Sequence, residues 1–154
     1  MKKYLEIGVA MGKHMLEILR DKNVRYVGVD KWEYDTTLEY EKRKLENWNS
    51  QDKWDEVYKE VLKKVEPYKD RASIIRGSSP DVLPTLVDKF DFIYVDGDHS
   101  YKGAKKDLEL SLPLLNEGGK IIVDDLGYPT VRRAFNEFVK ENNVEYKGDT
   151  IWQR

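Results

Sequence analysis

The stretch from Phe90 to Leu126 most constrains the fold of this 154-residue chain. It contains two short apolar runs, Phe90–Val95 and Lys120–Val123, with a helical pattern between them. Residues that favour turns flank each run. Two such runs with a helical pattern between them are typical of two parallel strands joined by a crossover helix. Acidic residues follow both runs directly. Because parallel strands end at the same edge of a sheet, where ligands of open α/β sheets bind, we expect these acids to form one cluster.

The predicted cluster contains four carboxylates and one imidazole: Asp96, Asp98 and His99 after the first run, and Asp124 and Asp125 after the second. Such a group is unfavourable in an apolar core because each charge loses its hydration. We therefore interpret it as a site. Simpler roles remain open: Asp98 can stabilise its own turn, Asp124 and Asp125 can cap the next segment, and the ring of His99 can be solvated.

The chain opens with a strand, Tyr4–Ile7, followed by a turn that contains Gly8 and Gly12. Two glycines let the backbone turn sharply and let a ligand approach it closely. The free N–H groups at the start of the next helix can bind a carboxylate or phosphate. A tight turn without a ligand is the alternative. The helix is predicted to bury one apolar face, formed by Met11, Met15, Ile18 and Leu19.

The second strand, Tyr26–Val29, ends in Asp30. An acid at the tip of the second strand is the position that binds ribose hydroxyls in nucleotide-binding α/β folds, whereas helix capping or simple solvation is the alternative. Trp32 follows, and it either stacks on an adenine ring or packs in the core under the next helix.

Residues 33–70 are predicted to form a helical insert. Ser50 or Asp52 is placed to cap a helix whose apolar residues have helical spacing and which Pro67 ends. The earlier part, residues 34–48, is charged and aromatic and is predicted as a separate helix. Because the insert leaves the sheet at the ligand-binding edge, it is either a lid or a solvated connection.

The third predicted strand, Ser73–Arg76, leads into Gly77, Ser78, Ser79 and a proline. A serine before proline is a favourable helix start, so Ser79 is predicted to cap a helix and Ser78 to contact a ligand. A helix capped by Ser100 and ended by Pro113 and Gly118-Gly119 then connects the two apolar runs described first. The chain finishes with a helix over residues 129–142 and two strands, Val144–Tyr146 and Thr150–Gln153, joined as a hairpin. The whole pattern predicts an α/β fold with a doubly wound, mostly parallel seven-stranded sheet and a C-terminal antiparallel hairpin.

Composition excludes several classes of function. The net charge of −2 does not favour nucleic acid as a partner. The absence of cysteine excludes disulfides, thiolate catalysis and cysteine-ligated metals, and it agrees with a cytoplasmic location. The longest apolar runs are far shorter than a membrane span, and the N-terminus has no signal-peptide pattern.

With these motifs in order, the chain resembles the class I S-adenosylmethionine-dependent methyltransferases, which share a Rossmann-like fold. The segment from Glu6 to Gly12 is similar to the first motif of that family, with Ala10 where many members have a third glycine. The spacing of Gly8 and Gly12 differs from the dinucleotide fingerprint of dehydrogenases. The resemblance implies S-adenosylmethionine as cofactor. The positions it implies as cofactor-binding are Glu6, Gly8, Ala10, Met11, Gly12, Asp30, Lys31, Trp32, Gly77, Ser78 and Asp96.

The Asp-Gly-Asp-His turn most resembles a subgroup of small-molecule O-methyltransferases. Related members hold Mg²⁺, which implies Asp96, Asp124 and Asp125 as metal ligands here. The resemblance also implies His99 as the general base, with Asp96 as a second catalytic residue. A departure is that the first strand starts close to Met1, where relatives carry covering helices. The acceptor site is therefore expected to be open, covered by residues 33–70, or completed by a homo-oligomer or another subunit.

The sequence thus predicts one domain over residues 1–154 that transfers a methyl group to a hydroxyl of a small molecule with Mg²⁺, away from membranes. Three alternatives stay open. One is a metal-independent N-methyltransferase. Another is a non-catalytic or partner-dependent cofactor-binding module. The third is a nicotinamide oxidoreductase.

Overall fold

A computed structural model describes residues 1–34 and 50–153 of the chain. Within these residues the strands are β1 (Lys2–Ile7), β2 (Val24–Asp30), β3 (Ala72–Arg76), β4 (Phe90–Val95), β5 (Leu115–Val123), β6 (Val144–Lys147) and β7 (Thr150–Gln153). The helices are α1 (Lys13–Ile18), α2 (Gln51–Val65), α3 (Ser79–Val82), α4 (Tyr101–Ser111) and α5 (Pro129–Glu141). Short 3₁₀ turns follow α2, α3 and α4.

The strands form one sheet in the order β3-β2-β1-β4-β5-β7-β6. Strands β1 to β5 pair in parallel, and β7 pairs antiparallel with both β5 and β6. The predicted fold class is confirmed, including the C-terminal hairpin. From β1 the chain winds outward to β2 and β3 and then returns to β4 on the other side. The carboxyl ends of β1 and β4 therefore flank the point where the winding direction reverses, which is where open α/β sheets bind ligands.

Each face of the sheet is covered by its own helices because side chains alternate along every strand. On one face, Leu5 and Ile7 of β1 belong to the larger core, to which α3, α4 and α5 contribute. On the other face, Tyr4 of β1 packs with Met15 of α1 and Val61 of α2.

Helix α2 begins and ends close to the predicted positions. The Ser50 hydroxyl caps it by accepting a hydrogen bond from the Lys53 N–H, and the helix ends at Val65, just before Pro67 in the following 3₁₀ turn. Two local predictions were wrong. Met11 is 51% exposed because α1 starts only at Lys13. Ser79 is the first residue of α3, while Ser78 occupies the capping position without making a capping bond.

Strand β5 is longer than predicted. It begins at Leu115, which pairs with Phe90 of β4, and it runs through Gly118 and Gly119, which were predicted to end the preceding helix. An irregularity in the β4–β5 register and the positive φ of 72° at Gly118 accommodate this extension. The pairing with β4 therefore overrides the local turn preference of the glycines.

The helix predicted over residues 34–48 lies, apart from Tyr34, outside the described residues. The described residues on either side of it are Tyr34 and Ser50. In the described part of the chain, no helix combines the length and the apolar character that a membrane crossing requires.

Candidate functional site

A cleft of about 470 Å³ lies at the carboxyl edge of the sheet. Its walls come from the ends of β1 to β4, the start of α3, one face of α4 and the loop after β5. The residues that line it are Ile7, Gly8, Ala10, Val29, Asp30, Lys31, Glu33, Trp54, Gly77, Ser78, Ser79, Pro80, Asp96, Gly97, Asp98, His99, Gly103, Asp107 and Asp125. The cleft thus gathers most of the residues predicted as a cofactor and acid site.

Gly8 brings the first turn into direct contact with the end of β4. Its φ is +90°, and a Cβ atom built there would lie 1.9 Å from the carbonyl oxygen of Asp96. Its N–H donates to the carbonyl of Val29, the neighbouring residue on β2. No other residue type fits this close backbone approach, so the glycine is a requirement of the turn.

Asp30 holds two turns of the cleft together. Its Oδ2 accepts a hydrogen bond from the N–H of Ala10, and its Oδ1 accepts one from the N–H of Trp32, both at 2.8 Å. Ala10 and Trp32 both have positive φ, at 47° and 40°, so the carboxylate stabilises two unfavourable backbone conformations. A carboxylate oxygen has more than one lone pair, so these bonds leave room for the predicted contact to a ribose hydroxyl.

Trp32 occupies the core. It is completely buried, its indole N–H donates to the Ala10 carbonyl, and its ring packs 4.9 Å from that of Tyr58. Of the two positions that the sequence allowed, the structure therefore places it under the helix and away from the cleft. Met11 and Gly12 also lie outside the cleft lining, since Met11 faces solvent and Gly12 caps α1.

Glu6 supports the first turn from below the cleft. It is 1% exposed and accepts a hydrogen bond from the Tyr26 hydroxyl, and its Oε1 lies 3.2 Å from His14 Nδ1. Burial raises the pKa of Glu6, while the bonds from His14 and Tyr26 lower it. Sequence reasoning missed His14 because nothing in the local pattern links α1 to β1. The structure thus places Glu6 in a buried network, separate from the surface that a ligand reaches.

An imidazole and two carboxylates meet at the β4 end of the cleft. One possible ligand atom from each of Asp96, His99 and Asp125 lies within 4.8 Å of the other two. His99 Nε2 is 3.1 Å from Asp96 Oδ1 and 3.3 Å from Asp125 Oδ2. The ring of His99 also stacks on Tyr128, with centroids 5.1 Å apart and planes 9° from parallel. This stacking holds the imidazole between the two acids.

Asp124 is directed elsewhere. Its Oδ2 accepts a 2.6 Å hydrogen bond from the Tyr94 hydroxyl, and its Oδ1 accepts one from the N–H of Asp125. The backbone of Asp125 has a φ of 55°, which turns the chain after β5. The predicted metal set of Asp96, Asp124 and Asp125 stays a prediction. The geometry groups Asp96 and Asp125 with His99, and the Asp124 carboxylate is bonded to Tyr94.

The electrostatics of this cluster favour a cation. Burial raises the pKa of Asp96, and the charges of Asp124 and Asp125 raise it further, whereas the bond to His99 lowers it. A divalent cation would relieve this repulsion, and two carboxylates with an imidazole are donors that hard and borderline metals accept. The carboxylates of Asp96 and Asp125 therefore fit the predicted Mg²⁺, which takes oxygen ligands, whereas the imidazole of His99 is a donor for borderline metals.

Beside Gly97, which follows Asp96, the cleft contains a buried acid that sequence reasoning missed. Asp107 of α4 is 1% exposed and accepts a hydrogen bond from the Ser79 hydroxyl. Burial raises the pKa of Asp107 to about 6. A signal was present, since Asp107 lies three residues after Ala104 and directly before Leu108 on the face predicted to be buried. Ser78, the predicted ligand contact, lines the cleft and donates to Asp81 at 2.5 Å.

Comparison with known proteins relates the sequence and the fold of this chain to those of other proteins. A family model described as a methyltransferase domain matches residues 5–126, which is most of the chain. A probable cobalt-precorrin-6B C(15)-methyltransferase (decarboxylating) of Saccharolobus solfataricus is 31% identical over 67 residues. That match covers 44% of this chain and 33% of the relative, so the matched segment spans about a third of the relative's length.

Solved structures show the same fold. The O-methyltransferase NovP superposes with a TM-score of 0.67 at 20% identity, covering 100% of this chain and 72% of that one. The methyltransferase PaMTH1 of Podospora anserina, solved with S-adenosylhomocysteine (SAH) bound, superposes with a TM-score of 0.65 at 19% identity, covering 99% and 72%. At these identities the likeness establishes the fold alone.

Proposed function

Since this chain belongs to the class I S-adenosylmethionine-dependent methyltransferase family, we propose that it transfers a methyl group from that cofactor to a hydroxyl of a small molecule with Mg²⁺. One observation carries the proposal. The acid–imidazole cluster of Asp96, His99 and Asp125 opens into the same cleft as the Gly8 turn and Asp30. A group able to prepare an acceptor thus lies beside the pocket proposed for the cofactor.

The cofactor is proposed to lie along the carboxyl edge of the sheet. Asp30 is available to the ribose hydroxyls, and the loop at Gly77 and Ser78 lies on the far side of β2, where the adenine is expected. The Gly8 turn leaves the backbone open toward the methionine part. This order brings the sulfonium close to Asp96. In-line methyl transfer mainly requires that the methyl donor and the acceptor are held in line with each other, and a rigid sheet edge can position them.

His99 is proposed as the general base. A hydroxyl is a weak nucleophile until it loses its proton, and base assistance of this kind contributes roughly 10²–10⁴-fold. Asp96 and Asp125 are proposed to hold the cation, which when bound lowers the pKa of a nearby hydroxyl and orients it. His99 Nε2 faces the same two carboxylates, so they also fix the direction of the imidazole.

The segment around residues 33–70 is proposed to cover the acceptor side of the cleft. Glu33 and Trp54 stand on either side of residues 35–49, and both line the cleft. Described residues on both sides of this segment therefore lie at the cleft. A second subunit is the other source of a cover, and its contribution would make activity depend on protein concentration.

The first prediction concerns the cofactor. SAH should raise the melting temperature, since a ligand that binds only the native state at 100 times its Kd adds about 2.7 kcal/mol to the free energy of unfolding. NAD at the same concentration should leave it unchanged. Differential scanning fluorimetry measures both, and stabilisation by NAD alone would overturn the proposed cofactor.

The second prediction concerns the metal. Calorimetric titration of the SAH-bound protein should detect Mg²⁺ binding that Asp125→Asn weakens by tenfold or more, because losing a charged oxygen ligand costs at least about 1.4 kcal/mol. Asp124→Asn is the matched control and should change the affinity less, since its carboxylate bonds to Tyr94. Equal losses in both variants would restore the original set of three acids.

A screen of hydroxyl and amine acceptors with labelled cofactor separates the remaining alternatives. Product from hydroxyl acceptors that requires Mg²⁺ supports the proposal. Metal-independent methylation of amines would indicate an N-methyltransferase instead. SAH binding without turnover of any acceptor, reversed by adding a second protein, would indicate a partner-dependent module.

A further inference from the structure

Arg76, the last residue of β3, binds the backbone that leaves the neighbouring strand. It pairs with Asp30 in the β2–β3 register, and its guanidinium donates to the carbonyls of Lys31 and Trp32 at 3.3 and 2.9 Å. The same guanidinium donates to the carboxylate of Asp55 on α2. A planar group with five N–H donors can bind two carbonyls and a carboxylate together. Arg76 therefore joins the end of β3, the chain after β2, and α2.

The backbone that Arg76 binds is strained. Trp32 has a φ of 40°, in the left-handed region that a large side chain rarely adopts. The carboxylate of Asp30 accepts a hydrogen bond from the N–H of Trp32. At the other end of the same residue, Arg76 and Gln51 both donate to the carbonyl of Trp32. Hydrogen bonds on both sides of Trp32 thus stabilise a conformation that is unfavourable on its own.

This strained turn forms one wall of the cleft. Lys31 and Glu33, the neighbours of Trp32, line the cleft. Asp30 also lines it, and the Asp30 carboxylate is the group proposed for the ribose hydroxyls. Among the described residues, Arg76 is not part of the cleft lining. An effect of Arg76 on ligand binding must therefore pass through the turn.

We propose that Arg76 is a positioning residue for the cofactor, since it holds the turn after β2 in the conformation that directs the Asp30 carboxylate into the cleft. The inference rests on the proposed function, which assigns Asp30 to the ribose hydroxyls. With Arg76 in place the turn is preorganised, so ligand binding does not have to order it. Without Arg76 the turn relaxes toward an ordinary backbone conformation, and part of the binding free energy is used to restore it.

The test is the affinity of Arg76→Gln for SAH, measured by calorimetry. Glutamine is shorter and uncharged, so the guanidinium bonds to Lys31 and Trp32 are lost. We expect the dissociation constant to rise about tenfold, which corresponds to about 1.4 kcal/mol and is of the order of the cost of one left-handed residue. An unchanged dissociation constant overturns the proposed role. Failure of wild-type protein to bind SAH at all would instead refute the proposed function.

Arg71→Gln is the matched control, because Arg71 makes the same kinds of contact at the opposite end of β3. Its guanidinium donates to three backbone carbonyls, which are those of Leu19, Asp21 and Val24. Each arginine also lies over a tyrosine ring, Arg71 over Tyr68 and Arg76 over Tyr58, at 5.3 and 5.0 Å from the ring centre. Urea unfolding should show that both variants lose stability, whereas only Arg76→Gln should lose affinity for SAH. Equal losses of affinity would show that the effect is general destabilisation, and would overturn the proposal.

If Arg76→Gln does not fold, Arg76→Lys provides the same test. The Arg76 side chain is 34% exposed, so the site has room for a lysine. Lysine keeps the positive charge beside Asp55, but its single ammonium nitrogen does not reproduce the planar fork of a guanidinium. This variant should bind SAH about fivefold or more weakly than wild-type protein. Full affinity would show that the charge alone is sufficient, and would overturn the proposed role of the two carbonyl bonds.

Discussion

At the scale of single residues, burial of Asp107 links stability to pH. Its pKa rises to about 6 in the folded protein, compared with about 4 for an aspartate in an unfolded chain. The folded state therefore binds this proton more tightly. The resulting stabilisation is fully present below about pH 4 and is lost as the pH rises through about 6.

The third prediction follows from this linkage. Asp107→Asn keeps an acceptor for Ser79 but removes the titration, so the variant should gain stability relative to wild type by up to about 3 kcal/mol between pH 4 and pH 7.5. Urea unfolding of both proteins at the two pH values measures this change. A difference that stays constant with pH would show that Asp107 titrates normally.

Residues that form the acid cluster also illustrate a limit of pattern reasoning. Asp124 and Asp125 are indistinguishable as neighbours in the sequence, yet Asp125 faces His99 and Asp124 faces Tyr94. The positive φ of Asp125 separates their directions. Such a conformation is set by the surrounding chain, so the identity of the ligands depends on the fold.

At the scale of elements, the turns differ in whether they have room for a side chain at their glycine. The β1–α1 turn places Gly8 against the Asp96 carbonyl, whereas the β6–β7 turn places Gly148, with a φ of 62°, where a Cβ atom would meet nothing within 4 Å. Both glycines have left-handed backbones. Only at Gly8 would an added Cβ atom also collide with another part of the backbone, the carbonyl oxygen of Asp96.

The fourth prediction uses this contrast. Gly148→Ala should cost about 1–2 kcal/mol, which is the conformational penalty alone. Gly8→Ala should cost several kcal/mol more, or abolish folding, because β1 and β4 must separate to admit the methyl group. Urea unfolding with circular dichroism compares them. Equal costs would mean that the Asp96 carbonyl can move away freely.

At the scale of the whole molecule, the C-terminal hairpin completes the larger core. Ile151 of β7 is fully buried, pairs with Ile121 of β5 and belongs to the same core as Leu5 and Ile93. The hairpin is therefore part of the cooperative unit that supports the cleft, although it contributes no residue to the cleft lining.

The fifth prediction tests this cooperativity. Ile151→Ala should lower the free energy of unfolding by about 2–5 kcal/mol in one transition, since the cavity lies in the shared core. Val87→Ala, at a position 97% exposed, is the control and should change stability by less than about 0.5 kcal/mol. A separate early transition in the urea unfolding of Ile151→Ala, followed by circular dichroism, would show that the hairpin unfolds independently.

The order of strands and helices was largely readable from the chain. Apolar runs bounded by glycine, proline and acidic residues predicted all seven strands, and β4 and β7 match the predicted bounds. These patterns are local, since each depends on side chains a few residues apart. The prediction missed the early start of β5 because the pairing of Leu115 with Phe90 outweighs the turn preference of Gly118 and Gly119.

The sequence by itself determined the fold class, the family and the edge of the sheet where polar groups collect. Hydrophobic periodicity and the ends of strands can be predicted from residues that are close together in the sequence. Only the tertiary structure decided which of those groups meet. It buried Trp32 and Glu6, joined His99 to Asp96 and Asp125, and brought Asp107 of α4 against Gly97. Side-chain direction and burial depend on contacts between distant segments, and these exist only once the sheet has assembled.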